Sequence, residues 1–137
     1  MTTVLKIWYE CNLEAHNFIK EEYWNKNIAY VKKTIPKSEV YLYEVSGEVV
    51  GFIALEASTV SGIFVKKEFQ NDGIGTKLIQ FAKEERDNLY LYVFENNQNA
   101  VKFYESRGFQ KIKTEVHEDL GEVEYVMHFT KKKLEEV

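Results

Sequence analysis

Residues 70–75 read Gln-Asn-Asp-Gly-Ile-Gly, shortly after the apolar run Ser61–Val65. A helix start exposes unpaired backbone N–H groups and carries a partial positive charge. Phosphate oxygens suit that end, and glycine lets them approach with no Cβ in the way. Gly73 and Gly75 stand at the mouth of a helical pattern that follows a strand pattern, so they are placed for anion binding. A glycine turn that merely joins a strand to a helix is the alternative.

Three phosphate patterns compete for this stretch. Gly75-Thr76-Lys77 does not complete a P-loop, and Leu78 stands where the dinucleotide fingerprint asks for Gly or Ala. The third pattern is Gln/Arg-x-x-Gly-x-Gly/Ala on a strand-to-helix turn, which belongs with the pyrophosphate of coenzyme A. Gln70 through Gly75 meet every position of it. A second pattern, Asn-x-x-Ala-x-x-x-Tyr-x-x-x-Gly-Phe, is met by Asn97, Ala100, Tyr104, Gly108 and Phe109.

The surrounding periodicities supply elements to hold these residues. Residues 4–19 and 21–34 repeat apolar side chains at helical spacing, with Thr3 as N-cap and a break near His16–Lys20. The lone proline, Pro36, marks the boundary to a strand-rich part. Glu39–Val45 and Glu48–Glu56 read as a hairpin about Ser46-Gly47, and Val60–Val65 as a third strand. Gly73–Arg86 is a helix and Asn99–Ser106 a short one. Leu89–Phe94 is apolar on both faces, so it reads as a central strand. Phe109–Val116 and Glu122–Phe129 close an antiparallel pair. The order αα, βββ, α, β, α, ββ makes an α/β (α+β) chain with a mixed sheet, expected as one domain over residues 1–137.

The two motifs, in this order and with these elements between them, resemble the GNAT superfamily of N-acetyltransferases over about residues 40–129. Ile7-Trp8, Ala15 to Ile19 and Tyr23-Trp24 are similar to the early helices of a small bacterial subfamily that includes protein-lysine acetyltransferases. The resemblance implies a mostly antiparallel mixed sheet flanked by helices. It also implies a first strand before the early helices, which here is short or missing.

The activity so implied is transfer of acetyl from acetyl-CoA to an amine, on a protein lysine or a small molecule. The amine attacks the thioester directly, with no metal and no covalent enzyme intermediate. By the same resemblance, a bulge splays the Val60–Val65 strand to receive the pantetheine arm. Phe64 and Val65 lie at the acetyl end, where a backbone N–H polarises the carbonyl. Gln70, Asn71, Asp72, Gly73, Ile74, Gly75 and Thr76 wrap the pyrophosphate. Asn97 and Ala100 contact the cofactor, and Tyr104 is both a cofactor contact and the general acid. A phenol ordinarily titrates near pH 10, so it is protonated at neutral pH and can donate to a departing thiolate.

Each residue also has a plainer reading. Phe64 and Val65 are core, Tyr104 packs beside Phe103, Asn97 caps a helix, and Lys66 and Lys67 are a solvated pair. The general base is open between Glu56, Glu44 and His16. Tyr92 stands where related sequences often carry an acid, which favours a water-mediated base. His16, Tyr23, Trp24, Glu56 and Phe64 are candidates to line the acceptor site, against a default of aromatic core and surface charge. A non-catalytic acyl-CoA-binding module of the same fold, and a purely structural domain, are the rival functions.

Composition bounds the rest. The 137 residues are 45% apolar and 29% charged, with a net charge of −4. That balance speaks against a nucleic-acid partner, which calls for a basic face. No apolar run approaches a membrane span, and the N-terminus has no basic n-region. Lys131 to Lys133, with Glu135 and Glu136, read as a solvated tail. Cys11 has no partner for an internal disulfide and fits a reducing cytoplasm as a small core residue rather than a nucleophile. An altered sheet edge leaves a homodimer open.

Overall fold

Thr2 opens the first helix, accepting a hydrogen bond from the Leu5 N–H at 3.3 Å. The computed structural model describes residues 2–131; Lys132, Lys133, Glu135 and Glu136 of the expected tail lie outside the described residues. Helix α1 spans Thr3–Ala15, so the cap is one residue earlier than the sequence suggests. A cap side chain must sit before the first helical residue to reach an N–H three positions on, and Thr3 is already helical. Helix α2, Glu21–Thr34, has acids in its first turn and Lys32 and Lys33 in its last, matching the helix dipole. A 3-10 turn through Pro36 ends it. Among the described residues no strand precedes α1.

The remaining elements are β1 (Glu39–Val45), β2 (Glu48–Glu56), β3 (Thr59–Val65), α3 (Ile74–Glu85), β4 (Asn88–Phe94), α4 (Gln98–Ser106), β5 (Gln110–Val116) and β6 (Val123–Thr130). They form one six-stranded sheet in the order β1-β2-β3-β4-β6-β5. Every neighbouring pair is antiparallel except β3 and β4.

Strand β2 is buried on both faces and organises two cores. Val50, Ile53 and Leu55 pack with Leu78, Ile79 and Ala82 of α3 and Val101 of α4. Phe52 and Ala54 pack with Leu5, Ile7 and Trp8 of α1 and Trp24 of α2. Alternation from Phe52 to Leu55 assigns these side chains to the two helical layers. Val50 joins the α3 side because it is the extra residue of a bulge, Tyr43 pairing with Gly51 and Glu44 with Val49.

Strand β4 is central in the sheet but not buried on both faces. Leu89, Leu91 and Val93 are buried, whereas Tyr90 and Tyr92 are 37% and 56% exposed. The helix α1 lies over β2 and β3 and leaves the tyrosine face of β4 open. Tyrosine tolerates that position because its ring buries area while its hydroxyl stays wet.

The parallel pair is where the sheet parts. β3 and β4 share one register pair, Thr59 with Tyr90, supported by the Tyr90 N–H on the Ser58 carbonyl at 2.8 Å. Beyond it no ladder joins them. Ala54 pairs with Gly62 and Leu55 with Val60, so Ser61 is the extra residue of a bulge in β3. A bulge bends its strand and raises the local twist, which separates Phe64 and Val65 from the end of β4.

Candidate active site

The turn into α3 presents a cradle of donors. Gly73 has φ +82° and Asn71 φ +69°, both left-handed. Successive N–H groups in such a turn converge into an anion-binding concavity. The first backbone bond of the helix runs from Lys77 N–H to the Gly73 carbonyl, at 3.1 Å. Among the described residues, no N–H from Asn71 to Thr76 donates to another backbone group or to a side chain. A Cβ on Gly75 would stand 3.6 Å from the Phe103 ring, an ordinary contact. Its bareness is therefore not demanded by the protein's own packing.

The cradle forms one wall of a cleft of about 400 Å³, lined also by Val65, Phe69, Gln70, Phe103 and Arg107. Gln70 is held across its mouth, its amide donating to the Val65 carbonyl at 2.9 Å. Arg107 faces the cradle, Nη2 donating to Thr76 Oγ1 at 2.6 Å and the guanidinium lying 4.8 Å from the Phe103 ring centre. Its Nε is buried without a partner, and among the described residues no carboxylate pairs with it. The cleft thus collects N–H dipoles and a guanidinium, and among the described residues no carboxylate is part of its lining.

Helix α4 stands beside this cleft. Asn97 caps it, accepting from the Ala100 N–H at 3.3 Å. Tyr104 packs edge-on against Phe103 and Phe109, and burial pushes its phenol up to about 12. Among the described residues its hydroxyl has no hydrogen-bond partner.

A second groove, of about 230 Å³, opens between α1, α2 and the sheet. Trp8, Phe52 and Phe64 wall it, and Glu56 stands at its rim, accepting from Ser38 Oγ at 3.1 Å. Gly62 leaves room for the Phe64 ring, which would have to move to clear a Cβ placed there at 2.3 Å. Among the described residues no three His, Cys, Asp or Glu side chains are grouped to hold a metal ion, and no helix is long and apolar enough to cross a membrane.

Residues 9–126 match the family model of the acetyltransferase (GNAT) domain. The chain belongs to the GNAT acetyltransferase family. As such it is an N-acetyltransferase. It is 30% identical to the peptidyl-lysine N-acetyltransferase YiaC of Escherichia coli over 111 residues, which cover 80% of this chain and 76% of that one. The solution structure of apo YjaB from Escherichia coli superposes with a TM-score of 0.81 at 22% identity, covering 92% of this chain and 88% of the other. An acetyltransferase of Bacillus anthracis, solved in complex with acetyl coenzyme A, superposes with a TM-score of 0.61 at 26% identity, over 69% of this chain and 63% of that one.

The GNAT chain brings together some of the residues singled out by its motifs and separates others. Val65, Gln70, Asn71, Gly73, Gly75 and Thr76 line one cleft. Asp72 is exposed, and Ile74 sends its side chain into the core, so only its main chain faces the turn. Ala100 packs against the core from α4. Asn97 spends both ends of its amide inside the protein, on Ala100 and on His16 at 3.1 Å. Phe64 and Glu56 share the second groove, while Glu44 is an exposed residue of β1.

His16, Tyr23 and Trp24 lie in an aromatic cluster rather than among the groove's lining residues. His16 stacks on Trp24 at 5.5 Å and meets Phe94 edge-on at 5.2 Å. Burial lowers its imidazole to about 4, so it is neutral at physiological pH and too weak a base for an alkylammonium. Cys11 donates to the Val65 carbonyl at 3.2 Å, and burial pushes its thiol up to about 11. A protonated thiol in this setting is a structural residue. Lys66 and Lys67 pair with Glu48 and Glu14, at 2.8 and 3.2 Å.

Arg107 is, with Phe69 and Phe103, a cleft residue that sequence reasoning missed. It lies between Tyr104 and Gly108 of the second motif. Its charge within that run was the available signal.

Proposed function

We propose that this enzyme uses acetyl-CoA as its acetyl donor and acts by direct attack of an acceptor amine on the thioester. The observation that carries the reading is the uncompensated cleft at the start of α3. Asn71, Gly73, Gly75 and Thr76, whose N–H groups are unpaired, line it together with a guanidinium that among the described residues has no carboxylate partner. A diphosphate fits that donor set, and few other groups do.

In this reading Asn71 to Thr76 bind the pyrophosphate through their main chain, with Gln70 and Arg107 at the rim. The parting of β3 from β4 leaves strand N–H and C=O groups free for the amides of the pantetheine arm. Phe64 and Val65, at the end of β3, border the thioester, and a backbone N–H there polarises its carbonyl. Asn97 and Ala100 hold the start of α4 in place. Tyr104 keeps its proton at neutral pH, because burial disfavours the phenolate, and gives it to the departing sulfur.

The acceptor is an amine on a flexible arm, either a protein lysine or a small molecule. The second groove has apolar walls for the body of an acceptor, and Glu56 at its rim suits a further cation of that acceptor rather than the reacting ammonium. The identity to a relative named as a peptidyl-lysine N-acetyltransferase supports the lysine case. We further propose that residues 1–137 act as one domain in the cytoplasm, with no metal in the reaction.

The test is free-thiol release from acetyl-CoA with a panel of amines, including a lysine peptide. Tyr104→Phe is expected to lower kcat by roughly 10²-fold or more while leaving acetyl-CoA affinity within about twofold. Equal losses in both would remove the general-acid role. Acetyl-CoA binding without turnover on any amine would favour a non-catalytic binding module.

A further inference from the structure

We propose that Glu124, on β6, is the general base that takes the proton from the acceptor ammonium. The assignment rests on the N-acetyltransferase reading above.

Glu124 pairs with Phe94 of β4, and Val126 pairs with Tyr92. Side chains two residues apart on a strand share a face. Glu124 is therefore on the same face as Tyr92, the face of β4 that α1 leaves open, one strand over. It lies level with Phe94, at the end where β3 and β4 have parted.

The surroundings suit a cationic amine. Five rings form a closed circuit there. His16 contacts Trp24 at 5.5 Å, Trp24 contacts Tyr23 at 5.0 Å and Tyr23 contacts His117 at 6.1 Å. His117 contacts Phe94 at 5.8 Å, and Phe94 returns to His16 at 5.2 Å. Aromatic faces attract ammonium groups. Three buried ring nitrogens of the circuit, His16 Nδ1, Trp24 Nε1 and His117 Nδ1, have no protein partner among the described residues. Buried polar atoms are seldom left unpaired, so a polar molecule is the natural complement. The circuit is tied to the helix that carries Tyr104, because His16 Nε2 lies 3.1 Å from Asn97 Nδ2.

The titratable groups around Glu124 come from three elements. Glu115 is its direct partner on β5 and is itself paired with Lys113 at 2.8 Å. His117 and Asp119 lie in the loop before β6, and Tyr23 faces it from α2. Burial, then Glu115, raises the carboxyl, and His117 opposes them. A raised carboxyl is the stronger base.

The step balances. A Glu124 oxygen takes one proton from the ammonium, and the freed lone pair forms the C–N bond at the thioester carbonyl. The C–S bond breaks as Tyr104 protonates the sulfur. The surplus proton on the new amide nitrogen restores the phenol, and Glu124 releases its proton to solvent.

The experiment is kcat/KM from pH 6 to 9.5 with acetyl-CoA and Nα-acetyl-lysine amide. It compares wild type, Glu124→Gln and Glu56→Gln, with acetyl-CoA affinity measured on each. Wild type is expected to be nearly flat with pH. Glu124→Gln is expected to keep acetyl-CoA affinity, lose roughly 10²-fold at pH 7, and then climb about tenfold per pH unit toward the amine pKa near 10.4. That slope is one a merely structural loss would not produce. An unchanged Glu124→Gln profile, or the steep slope in Glu56→Gln alone, would overturn the assignment. So would a wild type that already climbs tenfold per unit, whatever the variants do. No turnover in wild type with this or any panel amine would contradict the transferase reading, and this assignment with it.

Discussion

Arg107 Nη2 donates to the Thr76 hydroxyl at 2.6 Å, so the last turn of α4 reaches across to the first turn of α3. A guanidinium held by a neutral hydroxyl exchanges that partner readily for an anion. Arg107→Gln is therefore expected to weaken acetyl-CoA binding by roughly tenfold, with the loss shrinking as salt is raised. Titration calorimetry at two ionic strengths checks it. An unchanged affinity would make Arg107 a purely structural strut.

Asn97 closes the other end of α4. Replacing a capping side chain by alanine costs about 1 kcal/mol. Asn97→Ala is expected to lower stability by at least that amount, because the Nδ2 contact with His16 goes with the cap. Asn97→Asp is expected to recover the cap's share, since a carboxylate oxygen still accepts from the Ala100 N–H. Urea unfolding of the three proteins measures both.

His16 links stability to pH. Its folded pKa is lowered to about 4 by burial, below the ordinary value of 6.5. The unfolded chain therefore binds more protons between those values. The contribution is complete above about pH 6.5, is lost progressively as pH falls toward 4, and does not change further below that. Up to about 3 kcal/mol is expected from this one group. His16→Gln should flatten that part of the stability curve, and an equal slope in both proteins would show that another group is responsible.

Most of the elements were legible because their periodicity was unambiguous. Ile74, Leu78 and Ala82 repeat at helical spacing with Lys77 and Lys83 outside, and α3 forms there. The run from Val50 to Leu55 is apolar throughout, and β2 is covered by helices on both faces. The same reasoning placed β4 inside the sheet but not the exposure of its Tyr90 and Tyr92 face, because a tyrosine counts as apolar in a pattern yet sits at the surface as readily as in a core. Whether a face is covered depends on where α1 ends, which no local window reports. The bare turn into α3 was readable from Gly73 and Gly75, since left-handed backbone and bare approach are glycine's own properties. Arg107 was not, because its role depends on α4 lying beside α3. The placement of His16 against Asn97, 81 residues away, is likewise a fact of tertiary packing.

The grip of the α3 cradle on the coenzyme's diphosphate is the foundation of the functional reading. A Cβ at Gly75 has room within the protein, so the first atom of a side chain there takes up ligand space at no cost to the fold, and unfolding temperature reports what the further atoms cost. The direct measurement is calorimetric titration of acetyl-CoA into wild type and Gly75→Val, with thermal unfolding of both. The expected result is saturable binding to wild type, at least about tenfold weaker in Gly75→Val, with the two unfolding temperatures close together. Equal affinities, or no binding to wild type, would contradict it.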